Sequence, residues 1–340
     1  MMRKKGWQPM ERSIEPMMIS DIKETEYAPP FLPEGMSGSE NGEWTRSRGG
    51  LERAMQTRTI LESTVLLCDN QCTLWMDLGC MRGMMTRDEV QLCPDGEAVR
   101  DIAVITRVGK CISFVVIGFA YTEDGEEVAV LSRREAQRRC RTEFLDRLRA
   151  GDVIRAKVTH LEPFGAFVDV GCGIVSMLSI DSISVSRISH PNERFSTGMP
   201  IWVVIRSVVP FGRICVTHKE LLGTWEENAA AFCPGQTVTG IVRSIESYGV
   251  FVELTPNLAG LAEYKEHLCV GQRAAVYIKS MIPFRMKVKL VFIDTYRGEG
   301  ISGGLHYYLP KTCGASGIMH LDRWQYSPPG AEKCVETVFD

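Results

Sequence analysis

Two short segments of the sequence place an aromatic residue on each side of a glycine. They read EPFGAFVDVG at residues 162–171 and ESYGVFVELT at residues 246–255, so equivalent positions lie 84 residues apart (246 − 162). Exposed aromatic rings stack on nucleic-acid bases with little sequence preference. One segment alone is equally compatible with rings that pack in a hydrophobic core, but two copies favour a stacking surface. The aromatic residues concerned are Phe164, Phe167, Tyr248 and Phe251.

No catalytic arrangement accompanies these segments. The sequence has no phosphate-binding glycine loop, no HExxH motif and no GxSxG motif, and its six histidines form no cluster. Its twelve cysteines are spread singly without a CxxC pair, which is typical of reduced thiols in the cytosol. We therefore expect a cytoplasmic protein that is not an enzyme and uses no cofactor and no metal ion.

Length and composition indicate a soluble protein with more than one domain. The 340 residues are 44% hydrophobic and 24% charged, and the formal net charge is −3. This charge argues against a DNA-compacting protein but is compatible with RNA binding through local basic patches. No apolar run approaches the ~18 residues that a membrane span needs, so no membrane association is expected.

The flanking sequence extends the repeat in both directions. Alternating apolar and polar residues predict half-buried strands that lead into and follow the aromatic segments. Each copy predicts five short strands, one set over residues 150–222 and the other over residues 233–292. Gly165 is expected to form a bend or bulge that lets the strand close a small barrel and leaves the flanking rings outside. The aligned flanks are residues 151–161 with 235–245, and residues 201–217 with 274–290.

A third, degenerate copy lies upstream. The string WMDLGC, from Trp75 to Cys80, resembles FVDVGC, from Phe167 to Cys172, but the glycine and the first aromatic are missing there. We expect this copy to form a barrel of the same kind over residues 54–137.

An arginine-rich segment, residues 131–149, follows the first copy. Ala136, Cys140, Phe144 and Leu148 recur every four residues, which predicts an amphipathic helix with arginines on its outer face. Two interpretations remain open: a solvated linker helix between barrels, or a surface that contacts phosphates. The candidate phosphate contacts, which include a lysine of the following strand, are Arg133, Arg134, Arg138 and Lys157.

Both ends of the chain differ from the repeats. Residues 1–50 contain Pro, Gly, Ser and Glu without periodicity, which predicts a disordered arm. Residues 293–340 predict an irregular C-terminal extension. Neither end offers a motif that indicates a function.

The repeated motifs resemble the S1-type RNA-binding domain, a repeat with the OB fold. The resemblance is carried by the opening glycine, the aromatic-Gly-x-Phe-Val motif, the glycine of strand three and the GRICVTHK string that ends strand five. It implies a mainly β protein made of tandem small five-stranded antiparallel OB-fold barrels. It also implies single-stranded RNA binding across strands two and three, with a basic residue from strand five.

The resemblance also implies which residues contact RNA. The stacking rings are the four aromatic residues of the two segments. A histidine that the family often has after the glycine of strand three is replaced by Ser176 in one copy and Glu263 in the other. The basic residues of strand five are Arg213 in the first copy and, on either side of Met286 in the second, Arg285 and Lys287.

Two functions fit these observations. The first is a monomeric, non-catalytic protein that binds single-stranded mRNA and acts in translation at the small ribosomal subunit. The second is a protein-interaction scaffold whose degenerate barrels dock on the ribosome or on an RNA-processing enzyme. The residues at positions 176 and 263, which depart from the family pattern, keep the second open.

Overall fold

Three small β-barrels follow one another along the chain. The computed structural model describes residues 31–37, 41–94, 97–210, 212–299, 305–313 and 317–339. Each barrel is closed and has five strands, as the repeats predict.

The barrel strands are numbered in chain order. Barrel 1 contains β1 to β5, which are Leu61–Cys68, Leu74–Asp77, Arg82–Met85, Cys111–Tyr121 and Glu127–Ser132. Barrel 2 contains β6 to β10, which are Val153–Glu162, Gly165–Asp169, Val175–Ser179, Pro200–Val208 and Ile214–Thr217. Barrel 3 contains β11 to β15, which are Thr237–Glu246, Gly249–Thr255, Leu258–Ala262, Gln272–Ile282 and Lys287–Glu299.

The three barrels share one topology. The first strand pairs antiparallel with the second and the fourth, and the third strand pairs with the fifth. That last pairing is parallel in every barrel and closes the sheet. The strand order is that of the five-stranded OB fold, so the prediction of tandem OB-fold barrels is confirmed.

Strand alternation separates the barrel interior from the surface. In β7, for example, Ala166 and Val168 are fully buried while Phe167 between them is partly exposed. Each large apolar side chain buried in this way, such as Val168, stabilises the fold by roughly 1.5–3 kcal/mol. The interior of barrel 2 is therefore filled, which leaves its outer face to contact other molecules.

Helix α4, Arg133–Glu143, connects barrel 1 to barrel 2. Its N-cap is Ser132, whose hydroxyl accepts a hydrogen bond from the Glu135 amide at 2.9 Å. The helix ends at Glu143, and a 3₁₀ turn, Leu145–Arg147, completes the predicted segment. The four apolar residues that recur every four positions are all buried, as the periodicity predicts. The other helices are α1 (Asn41–Thr45), α2 (Arg48–Thr57), α3 (Asp101–Ile105) and α5 (Trp225–Ala229).

The prediction of a disordered arm over residues 1–50 is wrong for residues 31–37 and 41–50. Residues 41–50 contain α1 and the start of α2. Phe31 is buried, and its ring stacks on Phe144 with 6.1 Å between the ring centroids. The remainder of the predicted arm, residues 1–30 and 38–40, lies outside the described residues.

The C-terminal extension is also ordered where the structure describes it. Strand β15 continues to Glu299, and two further strands, β16 (Arg323–Gln325) and β17 (Glu336–Val338), pair antiparallel. Apart from these strands the described part of the extension has no regular secondary structure, but its apolar side chains pack into the cores of barrels 2 and 3. Leu305, Tyr307, Met319 and Phe339 pack into the core of barrel 2, and Trp324 and Tyr326 pack into that of barrel 3.

A polar contact joins barrel 2 to barrel 3. The connection between β8 and β9 carries Arg194, which forms a buried ion pair with Glu253 of β12. Next to it, Asn257 is completely buried and its side chain accepts a hydrogen bond from the Val185 amide at 2.9 Å. The two barrels are thus packed together. None of the helices in the described ranges has the length and apolar character of a membrane-spanning helix.

Candidate nucleic-acid interface

An aromatic row crosses the outer face of barrel 2. Phe167 in β7 lies opposite His160 in β6 and opposite Met177 in β8, and Met177 in turn lies opposite Cys215 in β10. His160 stacks on Phe167 with 6.3 Å between the ring centroids. Met177 and Cys215 are exposed. The row therefore presents a continuous, largely apolar surface from four adjacent strands.

Phe164 extends this surface at one end. It lies in the two-residue turn between β6 and β7 and is 54% exposed. Its ring meets Phe167 edge to face, with the centroids 6.1 Å apart. Two rings at nearly a right angle, of which one is largely exposed, leave faces on which bases can stack.

Barrel 3 repeats the row. Phe251 lies between Ser244 and Leu261, and Leu261 lies opposite Lys289 of β15. Tyr248 occupies the turn, is 68% exposed and meets Phe251 edge to face with 6.3 Å between the centroids. All four predicted stacking rings thus lie on outer faces, two in each barrel.

Barrel 1 has the same row with Trp75 at its centre. Trp75 lies opposite Leu67 and Met84. The guanidinium of Arg82 lies over the indole, 4.4 Å from the ring centroid, and the indole N–H donates to Asp69 Oδ2 at 2.9 Å. The alignment of the internal repeats pairs Trp75 with Phe167, so the sequence contained the signal that identifies this residue. Trp75 was nevertheless not predicted as a site residue.

Position 165 requires a glycine because two strands approach each other closely there, and no bulge lies at this residue. The predicted bend or bulge at Gly165 is therefore wrong. A Cβ on Gly165 would lie 2.4 Å from the carbonyl oxygen of Leu178 in β8. The bulge lies one strand earlier, in β6 between Val158 and His160. It shifts the register by one residue and so brings His160 opposite Phe167.

Ser176 does not face this surface, and the prediction that it contacts RNA is wrong. It is buried, and its hydroxyl donates to the carbonyl oxygen of Ile214 at 2.7 Å. Strand register shows why: Ser176 lies opposite Val168 just as Gly260 lies opposite Val252. The residue of barrel 2 that corresponds to Glu263 of barrel 3 is therefore Ser179, which lies three residues after Ser176.

The predicted basic residues of strand five lie at the surface. Arg213 is exposed and precedes β10, two residues before Cys215 of the row. Lys287 begins β15 and is exposed, as is Lys289 two residues further on, directly opposite Leu261. Arg285 is exposed too, but it forms an ion pair with Glu332 at 2.8 Å.

The four candidate phosphate contacts separate into two groups. Arg134 and Arg138 are half-exposed on α4 and pair with Glu89 and Glu135. Lys157 is partly buried, and its ammonium donates to the carbonyl oxygen of Glu34 at 2.8 Å. Arg133 is buried, so its assignment to a phosphate-contacting surface is wrong.

Arg133 is buried because residues 31–37, which we call the clasp, lie between barrel 1, α4 and barrel 2. Arg133 donates to both carboxylate oxygens of Glu34, at 2.6 and 3.1 Å. The Glu34 amide donates to Asp169 Oδ2 at 2.7 Å. Burial, followed by the negative charge of Glu34, raises the pKa of Asp169 to about 7. Asp169 shares the outer face of β7 with Phe167.

Comparison with known proteins agrees with this architecture. Residues 147–210 match the model of the S1 RNA binding domain. A small ribosomal subunit protein bS1 from Rhizobium meliloti is 34% identical over 143 residues, which are 40% of this chain and 25% of that protein. The bS1 homolog of Bacillus subtilis is 31% identical over 164 residues, 46% of this chain and 42% of that protein. The chain thus spans between a quarter and somewhat less than half of the length of these relatives.

Solved structures also show similarity. A multidomain protein with nucleic acid binding domains from Streptococcus pneumoniae is 13% identical, with 70% of this chain and 74% of that chain covered and a TM-score of 0.24. The family match lies on barrel 2, where the row of exposed side chains has two aromatic rings. Barrel 2, the second of three OB-fold barrels, therefore matches the S1 RNA binding domain, and the chain is similar to small ribosomal subunit proteins bS1.

Proposed function

We propose that this protein binds single-stranded RNA through the outer faces of its barrels and catalyses no reaction. The observation that carries the proposal is the repetition of one cross-strand row, with an aromatic residue at its centre, in all three barrels. Hydrophobic-core packing alone does not require a partly exposed ring at the same place three times. The match of barrel 2 to the S1 RNA binding domain supports the same conclusion.

Stacking and charge supply the affinity. Each base stacked on an aromatic ring contributes about 1–3 kcal/mol, and barrels 2 and 3 each offer two rings. Lys287 and Lys289 lie beside the row of barrel 3, and Arg213 lies beside that of barrel 2, where they can contact phosphates. In barrel 1, Arg82 already covers one face of Trp75, so we expect this barrel to contribute least.

We further propose that the RNA is mRNA and that the protein acts in translation as a monomer at the small ribosomal subunit in the cytoplasm. The similarity to bS1 proteins, whose names place them in that subunit, supports this role. The negative net charge of −3 makes non-specific attraction to ribosomal RNA weak. A ribosome-associated role then depends on the barrel faces and not on overall charge.

The test compares two aromatic substitutions in the full chain. Phe167→Ala should weaken binding of a fluorescent twelve-nucleotide oligouridylate by about tenfold, because stacked bases contribute about 1–3 kcal/mol each. Tyr121→Ala is the matched control, since Tyr121 is exposed but lies outside the row. Fluorescence anisotropy at two salt concentrations measures both variants. Equal affinities for the wild type and the Phe167 variant would contradict the proposed binding surface.

A further inference from the structure

The clasp covers the part of barrel 2 that directly adjoins the aromatic row. Asp169 lies two residues beyond Phe167 on the same face of β7, which places the two Cα atoms about 7 Å apart. Lys157 and Val175 lie opposite Asp169 on the neighbouring strands and form a second row parallel to the first. The backbone of Glu34 lies on this second row through its bonds to Asp169 and Lys157.

The clasp also withdraws positive charge from the surface. The carbonyl oxygen of Glu34 accepts from Lys157, and its carboxylate accepts from Arg133. Lys157 lies in the row next to the aromatic row and would otherwise be available to phosphate oxygens, whereas Arg133 is buried beneath the clasp. An RNA strand that continues from Phe167 towards Asp169 meets the clasp instead of Lys157.

Barrel 3 shows the same arrangement with different residues. Glu253 occupies the place in β12 that Asp169 occupies in β7, and it is covered by Arg194 from the preceding barrel. Arg243 of β11 pairs with the same carboxylate at 2.8 Å. In both barrels a segment from earlier in the chain therefore occupies the row beyond the aromatic residue.

We propose that the clasp is an autoinhibitory segment, which limits the RNA site of barrel 2 to the aromatic row until RNA displaces it. The inference rests on the proposed function and specifies its regulation. A short oligonucleotide that occupies only the row binds with the clasp in place. A longer strand gains contacts with Lys157 and its surroundings only when the clasp leaves Asp169, so the clasp lowers affinity for long strands selectively.

A disulfide can lock the clasp. A Cβ built on Gly35 would lie 3.6 Å from the Cβ of Cys111 in β4, and disulfides join Cβ atoms about 3.5–4.5 Å apart. The variant Gly35→Cys, oxidised with glutathione disulfide, should therefore form a bond to Cys111 and release two glutathione thiols. Burial raises the pKa of the Cys111 thiol to about 11, so the introduced thiol is expected to react with glutathione first. Mass spectrometry of the linked peptides confirms the bond.

The locked and reduced forms of this variant are compared by anisotropy with oligouridylates of three and twelve nucleotides. We expect the locked form to bind the longer strand about tenfold more weakly than the reduced form, as one lost cation contact and one lost stacked base would produce. The shorter strand should bind both forms equally. The double variant Gly35→Cys with Cys111→Ser is the control, because it cannot form this bond and should not respond to oxidation.

A second variant opens the clasp. Gly35 has a φ of +75°, where a side chain is strained, and a Cβ there would lie 2.9 Å from Nζ of Lys157. Gly35→Ala should therefore loosen the clasp and its bond to Lys157, and bind the longer strand more tightly than the wild type. Gly125→Ala is the matched control: its φ is +81°, a Cβ there meets nothing within 4 Å, and it lies in the distant β4–β5 turn. This variant decides the question if the disulfide does not form.

The outcomes separate the two proposals. Equal binding of the longer strand by the wild type, the Gly35→Ala variant and the locked form would contradict the autoinhibitory role of the clasp. It would leave the proposal of RNA binding intact. Binding by the Gly35→Ala variant but not by the wild type would support a clasp that inhibits strongly. If no form binds either oligonucleotide, RNA binding itself is wrong and the autoinhibitory role falls with it.

Discussion

Trp75, Phe167 and Phe251 occupy the same place in three barrels, but their neighbours differ. A cation covers Trp75, whereas an exposed ring in the adjoining turn meets Phe167 edge to face, and the same is true of Phe251. The longer connection between β1 and β2 in barrel 1, in which Cys72 has a φ of +59°, contains no aromatic ring. We therefore expect equivalent positions of the repeated fold to differ in binding capacity from copy to copy.

A buried histidine makes stability depend on pH. His218 is completely buried: its Nδ1–H donates to the carbonyl oxygen of Ile183 at 2.7 Å, and its Nε2 accepts from the Tyr307 hydroxyl at 3.1 Å. Burial, with a smaller effect from the charge of Arg194, lowers the pKa of His218 from 6.5 to about 4. The unfolded chain therefore binds a proton that the folded chain does not in this range.

We expect His218 to lower the free energy of unfolding as the pH falls from 6.5 to about 4. The full effect is roughly 3 kcal/mol for a shift of this size. Denaturant titrations should show the wild type more stable than His218→Gln at pH 7, with this difference in stability shrinking as the pH falls to about 4. Asp169 acts in the opposite sense, because its raised pKa adds stability at low pH, so the difference between the variant and the wild type is the relevant quantity. An unchanged difference at every pH would contradict the assignment, and exposed His306→Gln is the control.

For single elements, the local sequence pattern was sufficient to predict where the strands lie but not how they pair with one another. Alternation of apolar and polar residues is a local property, so the five strands of each full copy were predictable. Glycine was ambiguous, because Gly173 and Gly260 serve different purposes. Gly173 lies before β8 with a φ of +74°, whereas Gly260 lies within β13, where a Cβ would meet Leu290 at 2.5 Å. Aligning the two glycines displaced the predicted contact from Ser179 to Ser176.

The corrected register predicts that Glu263 weakens RNA binding by barrel 3. Glu263 is exposed two residues beyond Leu261 of the row, so on the proposed binding surface we expect its carboxylate to lie beside the phosphates. A like charge ~4 Å from a phosphate costs about 1 kcal/mol in water. In a Phe167→Ala background, Glu263→Ser should therefore raise the affinity for oligouridylate by roughly fivefold.

The same substitution at a neighbouring acid provides the control. Glu266 is also exposed but lies in the connection that leaves β13. Glu266→Ser should change the affinity much less. If both substitutions raise it equally, the effect is one of net charge and Glu263 has no specific place beside the row.

At the scale of the whole molecule, the parts that sequence reasoning missed are those whose partners are remote in the chain. Glu34 and Arg133 are separated by 99 residues, and neither lies in a repeat that would reveal the other. Helical periodicity placed Arg133 correctly on α4 but could not show that a distant carboxylate buries it. The C-terminal segment has no periodicity at all, since its apolar residues fill gaps in two different cores.

Asn257 should hold barrels 2 and 3 in one cooperative unit. Its amide group donates to the carbonyl oxygens of Lys219 and Gly223 at 2.9 and 2.8 Å and accepts from the Val185 amide. Asn257→Ala leaves these buried groups unpaired, so we expect a loss of roughly 3 kcal/mol. Calorimetry should show barrel 3 melting apart from barrel 2. Exposed Asn192→Ala is the control, and a single transition at the wild-type temperature would contradict the expectation.

The completion of the core of barrel 2 by Tyr307, Met319 and Phe339 has a consequence for how the chain is made. Domains usually fold in the order in which the ribosome releases them. Here the strands of barrel 2 are finished by residue 217, but the side chains that seal it are polymerised only after all five strands of barrel 3. During synthesis, part of the core of barrel 2 therefore stays exposed until the last residues of the chain are made and pack against it.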